Sequence, residues 1–281
     1  MTLHPVNSGN FKLDGGAMFG VVPKSIWNRT NPADKNNMCN WAMRCLLVES
    51  GNRLILIDNG IGDKQDAKFF SYYFLNGDDT LEKTVNKVGF SFDDITDVFL
   101  THLHFDHCGG SIKYADSSRT KLTTTFKNAT YWSNSQHWKW ATEPNPREKA
   151  SFMKENIMPI QESGQLKFIE KEGEFIPGMD LLFTYGHTDA MMLPVLSYKG
   201  KKILYTADLI PSVGHLPLPY VMGYDVRPLE TLKEKERILT KAAQEDWLLF
   251  FEHDAANEMC SLEKTEKGVR KKESGSFSHF L

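Results

Sequence analysis

The 281-residue chain has only four cysteines, and Cys39, Cys45, Cys108 and Cys260 are too scattered to form a Cys-x-x-Cys pair. That spacing excludes a zinc ribbon and a disulfide scaffold, and fits free thiols in a reducing compartment. No apolar run approaches the length needed to cross a bilayer, so no membrane partner is expected. A basic surplus is also missing: 33 Lys and Arg stand against 36 Asp and Glu, for a net charge of −3. Nucleic acid is therefore not an expected partner. The first residues, Met1-Thr-Leu-His-Pro-Val, lack the basic region and apolar stretch of a secretory signal, and a cytoplasmic location is expected. Low-complexity linkers and repeats of fixed period are absent too. The chain reads as one domain over 1–281, with a substrate loop near 10–40 and a polar tail near 264–281.

What the chain does have is a dense run of metal-binding groups. Thr101-His-Leu-His-Phe-Asp-His-Cys-Gly-Gly110 sets His102, His104 and His107 beside Asp106. Imidazole and carboxylate are ligands that divalent transition metals accept readily. Ile95–Leu100 reads as a buried strand, so the run begins where a strand ends. His187, Asp208 and His253 each stand at a strand end as well, after Met179–Tyr185, Lys202–Thr206 and Trp247–Phe251. If those strands run together, the seven side chains converge on one edge.

Around these residues the pattern predicts strands at Arg44–Glu49, Arg53–Asp58, Thr123–Phe126, Thr130–Trp132 and Leu193–Tyr198. Lys199-Gly200 supplies a hairpin turn. Helices are predicted near Ala67–Phe74 and Leu81–Val88, from Pro146 through Met158, and after Pro228, where Leu232, Leu239 and Ala242 share a stripe. Two β-rich halves with interspersed helices suggest two packed sheets covered by helices.

At these positions the sequence resembles the metallo-β-lactamase-fold hydrolases. The His-x-His-x-Asp-His run, His187, Asp208 and His253 arrive in that family's order over nearly the whole chain. The resemblance implies an α+β fold, a four-layer αββα sandwich. It also implies two divalent ions, zinc first, with manganese, cobalt or iron compatible. His102, His104 and His187 would hold one ion, Asp106, His107 and His253 the other, and Asp208 would bridge. Asp58 fits the family position that orients a ligand imidazole, although Asp58-Asn-Gly60 also reads as a plain turn.

Further segments, among them Leu13–Gly20, Leu54–Asp63, Ala207–Pro211 and Met222-Gly-Tyr-Asp225, are similar to the N-acyl homoserine lactonase and methyl parathion hydrolase branch. That likeness implies a hydrolase of lactones or small carboxylic esters, acting through a metal-bridging hydroxide, with Asp106 relaying its proton. N-acyl homoserine lactones (quorum quenching) lead, an organophosphate or aryl ester hydrolase is the alternative, and a nuclease ranks below both. A homodimer is the assembly implied. Lactonases of this kind use a tyrosine after the bridging aspartate, and Tyr224 is the nearest candidate here. Met18, Phe19, Met191 and His215 are expected at the substrate pocket, or else in the core.

Overall fold

Continuous apolar runs predict strands buried on both faces, and Leu54, Ile55, Leu56 and Ile57 are all buried. The computed structural model describes residues Met1–Leu281. It divides into two compact units, one formed by Met1–Asn10 and Met43–Lys171, the other by Phe11–Ala42 and Glu172–Leu281.

The first unit contains most of β1 (Thr2–Asp14) and β2 (Met38–Ser50), then β3 (Arg53–Ile57), β4 (Asp97–Phe99), β5 (Ile112–Tyr114), β6 (Leu122–Thr124), β7 (Thr130–Ser133) and β8 (Leu166–Phe168). Its sheet runs β1-β2-β3-β4-β7-β8, and β5 pairs with β6 separately. β3, β4, β7 and β8 are mutually parallel. Helices Leu81–Lys87, Ser135–Thr142 and Lys154–Glu162 contribute Leu81, Val85, Trp138, Ala141, Ile157 and Ile160 to the core, where they meet Cys45, Leu47, Leu56 and Val98.

Two predicted helices differ. The one placed at Ala67–Phe74 stops at Ser71, and Phe74 adopts a left-handed φ of 46°. The one placed from Pro146 begins only at Lys154. Residues 146–151 form turns instead. There Glu148 is drawn inward to accept from Trp140 Nε1 and Asn145 Nδ2, both at 2.7 Å. Satisfying that buried carboxylate outweighs local helix propensity.

The second unit has one sheet, ordered β15-β14-β13-β12-β11-β10-β9. Its strands are β9 (Gly173–Ile176), β10 (Met179–Thr184), β11 (Met191–Tyr198), β12 (Lys201–Tyr205), β13 (Leu248–Phe250), β14 (Met259–Thr265) and β15 (Gly268–Gly275). The β11–β12 hairpin turns through Lys199 and Gly200, both at positive φ as a type I′ turn requires. β12 and β13 are parallel, joined by the crossover helix Pro228–Gln244. Pro228 occupies the first turn, and Ile238, Leu239 and Ala242 are buried. The region expected as an N-terminal loop holds the end of β1 and the short helices Gly15–Phe19 and Lys24–Trp27. The expected polar tail is largely the β14–β15 hairpin.

This topology sets where chemistry can sit. β10, β12 and β13 point the same way, because β11 is antiparallel to both β10 and β12. Their C-terminal ends lead to His187, Asp208 and His253. In the first unit, parallel β3 and β4 lead to Asp58 and His102. Strand C-terminal ends are where open α/β sheets place ligands.

Candidate metal centre

Each unit carries its own set of candidate ligand side chains. In the first, the turn after β3 brings Asp58 to Thr101 and His107. Asp58 Oδ1 accepts from the Thr101 backbone N–H at 2.8 Å, and Oδ2 accepts from Thr101 Oγ1 at 2.7 Å. His107 Nδ1 lies 3.1 Å from the same Oδ2. A carboxylate can only accept, so Nδ1 carries the hydrogen and Nε2 keeps a lone pair. Thr101 has given its hydrogen to Asp58, so it accepts from His102 Nδ1 at 3.0 Å. His102 Nε2 is left as a lone pair too.

His104 Nε2 lies 3.3 Å from Glu148 Oε1, which makes its Nδ1 the nitrogen with the lone pair. That Nδ1 is 3.1 Å from His102 Nε2. Two lone pairs facing each other at that distance repel unless a cation lies between them. The donor set therefore fits a metal ion. Asp106 Oδ2 is 3.9 Å from His107 Nε2. All four ligand side chains are buried.

The backbone around them is held tightly. Leu103 N donates to His137 Nε2 at 2.9 Å, and Asn59 N donates to the His107 carbonyl at 2.9 Å. A Cβ at Gly109 would meet the Ile61 carbonyl oxygen at 2.2 Å, and one at Gly110 would meet that of Asn59 at 2.3 Å. Only glycine lets the Asp58–Gly62 turn approach the ligand run so closely.

In the second unit, Asp208 lies between two imidazoles. Its Oδ2 is 3.1 Å from His187 Nε2, and its Oδ1 is 3.0 Å from His253 Nε2. The far ring nitrogens are fixed by acceptors: His187 Nδ1 by Asp225 Oδ1 at 2.8 Å, His253 Nδ1 by the Ala42 carbonyl at 2.8 Å. Both rings therefore offer Nε2, the arrangement expected of metal-ligand histidines. Burial pulls His187 towards its neutral form, but Asp208 and then Asp225 outweigh it and raise the imidazole to about 10. Without a metal, a proton occupies the place a cation would take.

Sequence reasoning singled out the seven candidate ligands and Asp58, and it missed most of the residues that hydrogen-bond to them. Glu148, Asp225 and His137 act through contacts far apart in sequence, and of the supporting residues only Thr101 and Asp225 lay in motifs singled out beforehand. It also missed an aromatic wall next to the ligand run. Phe105 lies 4.9 Å from Tyr73 and 5.4 Å from Phe69, centroid to centroid. Burial and the nearby Asp106 raise the Tyr73 phenol to about 12.

The expected pocket residues lie deep. Met18, Phe19, Met191 and His215 are all buried. The His215 ring stacks on Phe19 at 4.3 Å, its Nδ1 is 2.8 Å from Ser212 Oγ, and its Nε2 meets the Met18 carbonyl at 2.9 Å. Burial lowers it to about 3, so it is neutral. Tyr224 is 40% exposed, next to Asp225. Cys108 is buried, and burial raises its thiol to about 12.

A family model described as the metallo-beta-lactamase superfamily matches residues 44–253. An N-acyl homoserine lactonase of Bacillus thuringiensis is 25% identical over 247 residues, 83% of this chain and 88% of that protein. Among solved structures, a probable metal-dependent hydrolase from Staphylococcus aureus matches with TM-score 0.87 and 27% identity, covering 97% of this chain and 95% of that one. A dizinc quorum-quenching lactonase, solved with a homoserine product, matches with TM-score 0.76 at 21% identity, over 96% and 92% of the two chains. The fold implied by the sequence is thus the one found.

Proposed function

The chain belongs to the metallo-beta-lactamase superfamily and is a metal-dependent hydrolase, and on that premise we propose that it opens N-acyl homoserine lactones. The observation that carries the substrate class is the lactonase relative, whose likeness extends over most of both chains. In this reading His102, His104 and His187 would hold one divalent ion and Asp106, His107 and His253 a second, with Asp208 available to both. Zinc suits the imidazole-rich set. The imidazole lone pairs left by the hydrogen bonds within each unit support it.

Bound there, the ions would acidify a water towards neutrality and polarise the substrate carbonyl. The chain's own side chains do the rest. Asp58, directly and through Thr101, keeps His107 and His102 in the tautomers that bind. Glu148 and Asp225 do the same for His104 and His187. An Asp106 carboxylate oxygen takes the attacking water's proton and passes it to the ring oxygen that leaves. The Phe69–Tyr73–Phe105 wall excludes water beside the ligand run.

Turnover of a lactone series of varied acyl length, compared with a phosphotriester on the same metal-loaded protein, tests the proposal. Lactone opening should dominate, and His104→Ala should lose metal and turnover together. Hydrolysis of the triester alone would replace the lactonase with an organophosphate hydrolase.

A further inference from the structure

Lys235 is completely buried in the helix Pro228–Gln244, where a charged side chain is costly unless fully paired. Its partners are backbone carbonyls of one loop. Nζ lies 2.7 Å from the His215 oxygen, 2.8 Å from that of Tyr220, 3.1 Å from that of Pro217 and 3.4 Å from that of Leu218. The three shorter contacts use all three hydrogens of an ammonium. Burial lowers the ammonium to about 7, but a neutral amine has two hydrogens and would turn its lone pair towards a carbonyl oxygen.

The loop that Lys235 gathers begins at Asp208 and ends at Asp225. Both ends bind the same imidazole: Asp208 at His187 Nε2, Asp225 at His187 Nδ1. The preceding helix residue, Glu234, is buried as well, and accepts from the backbone N–H groups of Tyr185 at 2.6 Å and Gly186 at 3.0 Å. One helix thus holds the strand end before His187 with an anion, and the loop between its two carboxylates with a cation.

We propose that Lys235 is a positioning residue, a caged internal cation that sets how Asp208 and Asp225 grip His187. The proposal rests on the reading of His187 and Asp208 as metal ligands. It goes beyond that reading by assigning ligand geometry to a charge that touches neither metal nor substrate. The cage of carbonyl oxygens accepts a small monovalent cation in general, so a free alkylammonium is an adequate stand-in.

Metal affinity, measured by competition with a chromophoric chelator, is the readout, together with amide hydrogen exchange over 213–222. Lys235→Met keeps the apolar stem and removes the charge. It should bind metal at least tenfold more weakly, with faster exchange in the loop. Lys235→Ala should regain affinity on addition of n-propylammonium and none on addition of n-propanol. Parent-like affinity in Lys235→Met, or equal response to amine and alcohol, overturns the proposal. Should neither variant fold, ¹⁵N NMR of the parent decides: a lysine NH3⁺ signal protected from exchange supports the cage, and its absence refutes it. A parent protein that binds no metal would instead refute the ligand reading. The lactone assay plays no part in either outcome.

Discussion

His187 shows how the charge state of one side chain records the chemistry around it. Burial favours the neutral ring, yet Asp208 and Asp225 raise it to about 10. The unfolded-chain value is about 6.5. A base whose pKa rises on folding adds stability that is complete below the unfolded value and is lost as pH climbs through the folded one. The chelator-treated protein should therefore lose stability between about pH 6.5 and pH 10 through this group. Urea midpoints across that range measure the slope, and His187→Gln should flatten it; a parent midpoint that stayed level would contradict the assignment. Asp58 illustrates the same scale from the other side. Its Asp-Asn-Gly context also read as a turn, and the structure makes it both: φ is 55°, and the carboxylate accepts from Thr101 and His107.

At the scale of elements, the helix Pro228–Gln244 was legible at its start and along its apolar stripe. Its interior charges were not. Glu234 and Lys235, both off the apolar stripe of Leu232, Leu239 and Ala242, are nonetheless buried. Hydropathy cannot anticipate this, because their partners are backbone groups of β10's end and the Asp208–Asp225 loop, contributed by distant sequence. The Pro146 helix failed for a related reason, since Glu148 is claimed by His104, Trp140 and Asn145.

Close packing of the Pro228–Gln244 helix on the His187 strand end depends on Gly186, where a Cβ would meet Thr231 N and Oγ1, each at 2.3 Å. Gly186→Ala should destabilise the protein by about 1–3 kcal/mol through overpacking, and weaken metal binding as well. Gly200→Ala makes a control. Nothing lies within 4 Å of its Cβ position, and its φ of 74° alone is penalised, by about 1–2 kcal/mol. Urea denaturation and chelator competition on both variants test the contrast: stability should fall in each, metal affinity only in Gly186→Ala. Unchanged metal affinity in Gly186→Ala would separate that packing from the ligands.

For the whole molecule, bound metal is a contribution to stability as well as to chemistry. Free metal at 100 times its dissociation constant adds about 2.7 kcal/mol to the folded state. Chelation should thus lower the calorimetric unfolding temperature, and readdition of zinc should restore it; identical transitions before and after would argue against resident ions. The absence of a long apolar helix is equally a property of the whole: no helix is long and apolar enough to cross a membrane.

The sequence by itself determined the types of candidate ligand, their order, and their placement at strand ends. Apolar runs, turn residues and imidazole spacing are local properties, and local chemistry reads them directly. The tertiary structure alone decided which nitrogen of each histidine is offered, through Asp58, Thr101, Glu148, Asp225 and the Ala42 carbonyl. It also decided that Glu234 and Lys235 lie inside. Those outcomes depend on hydrogen-bond partners that the fold brings together, from the adjacent Thr101 for His102 to the Ala42 carbonyl, 211 residues from His253, and a buried polar group is settled only by the partner that satisfies it.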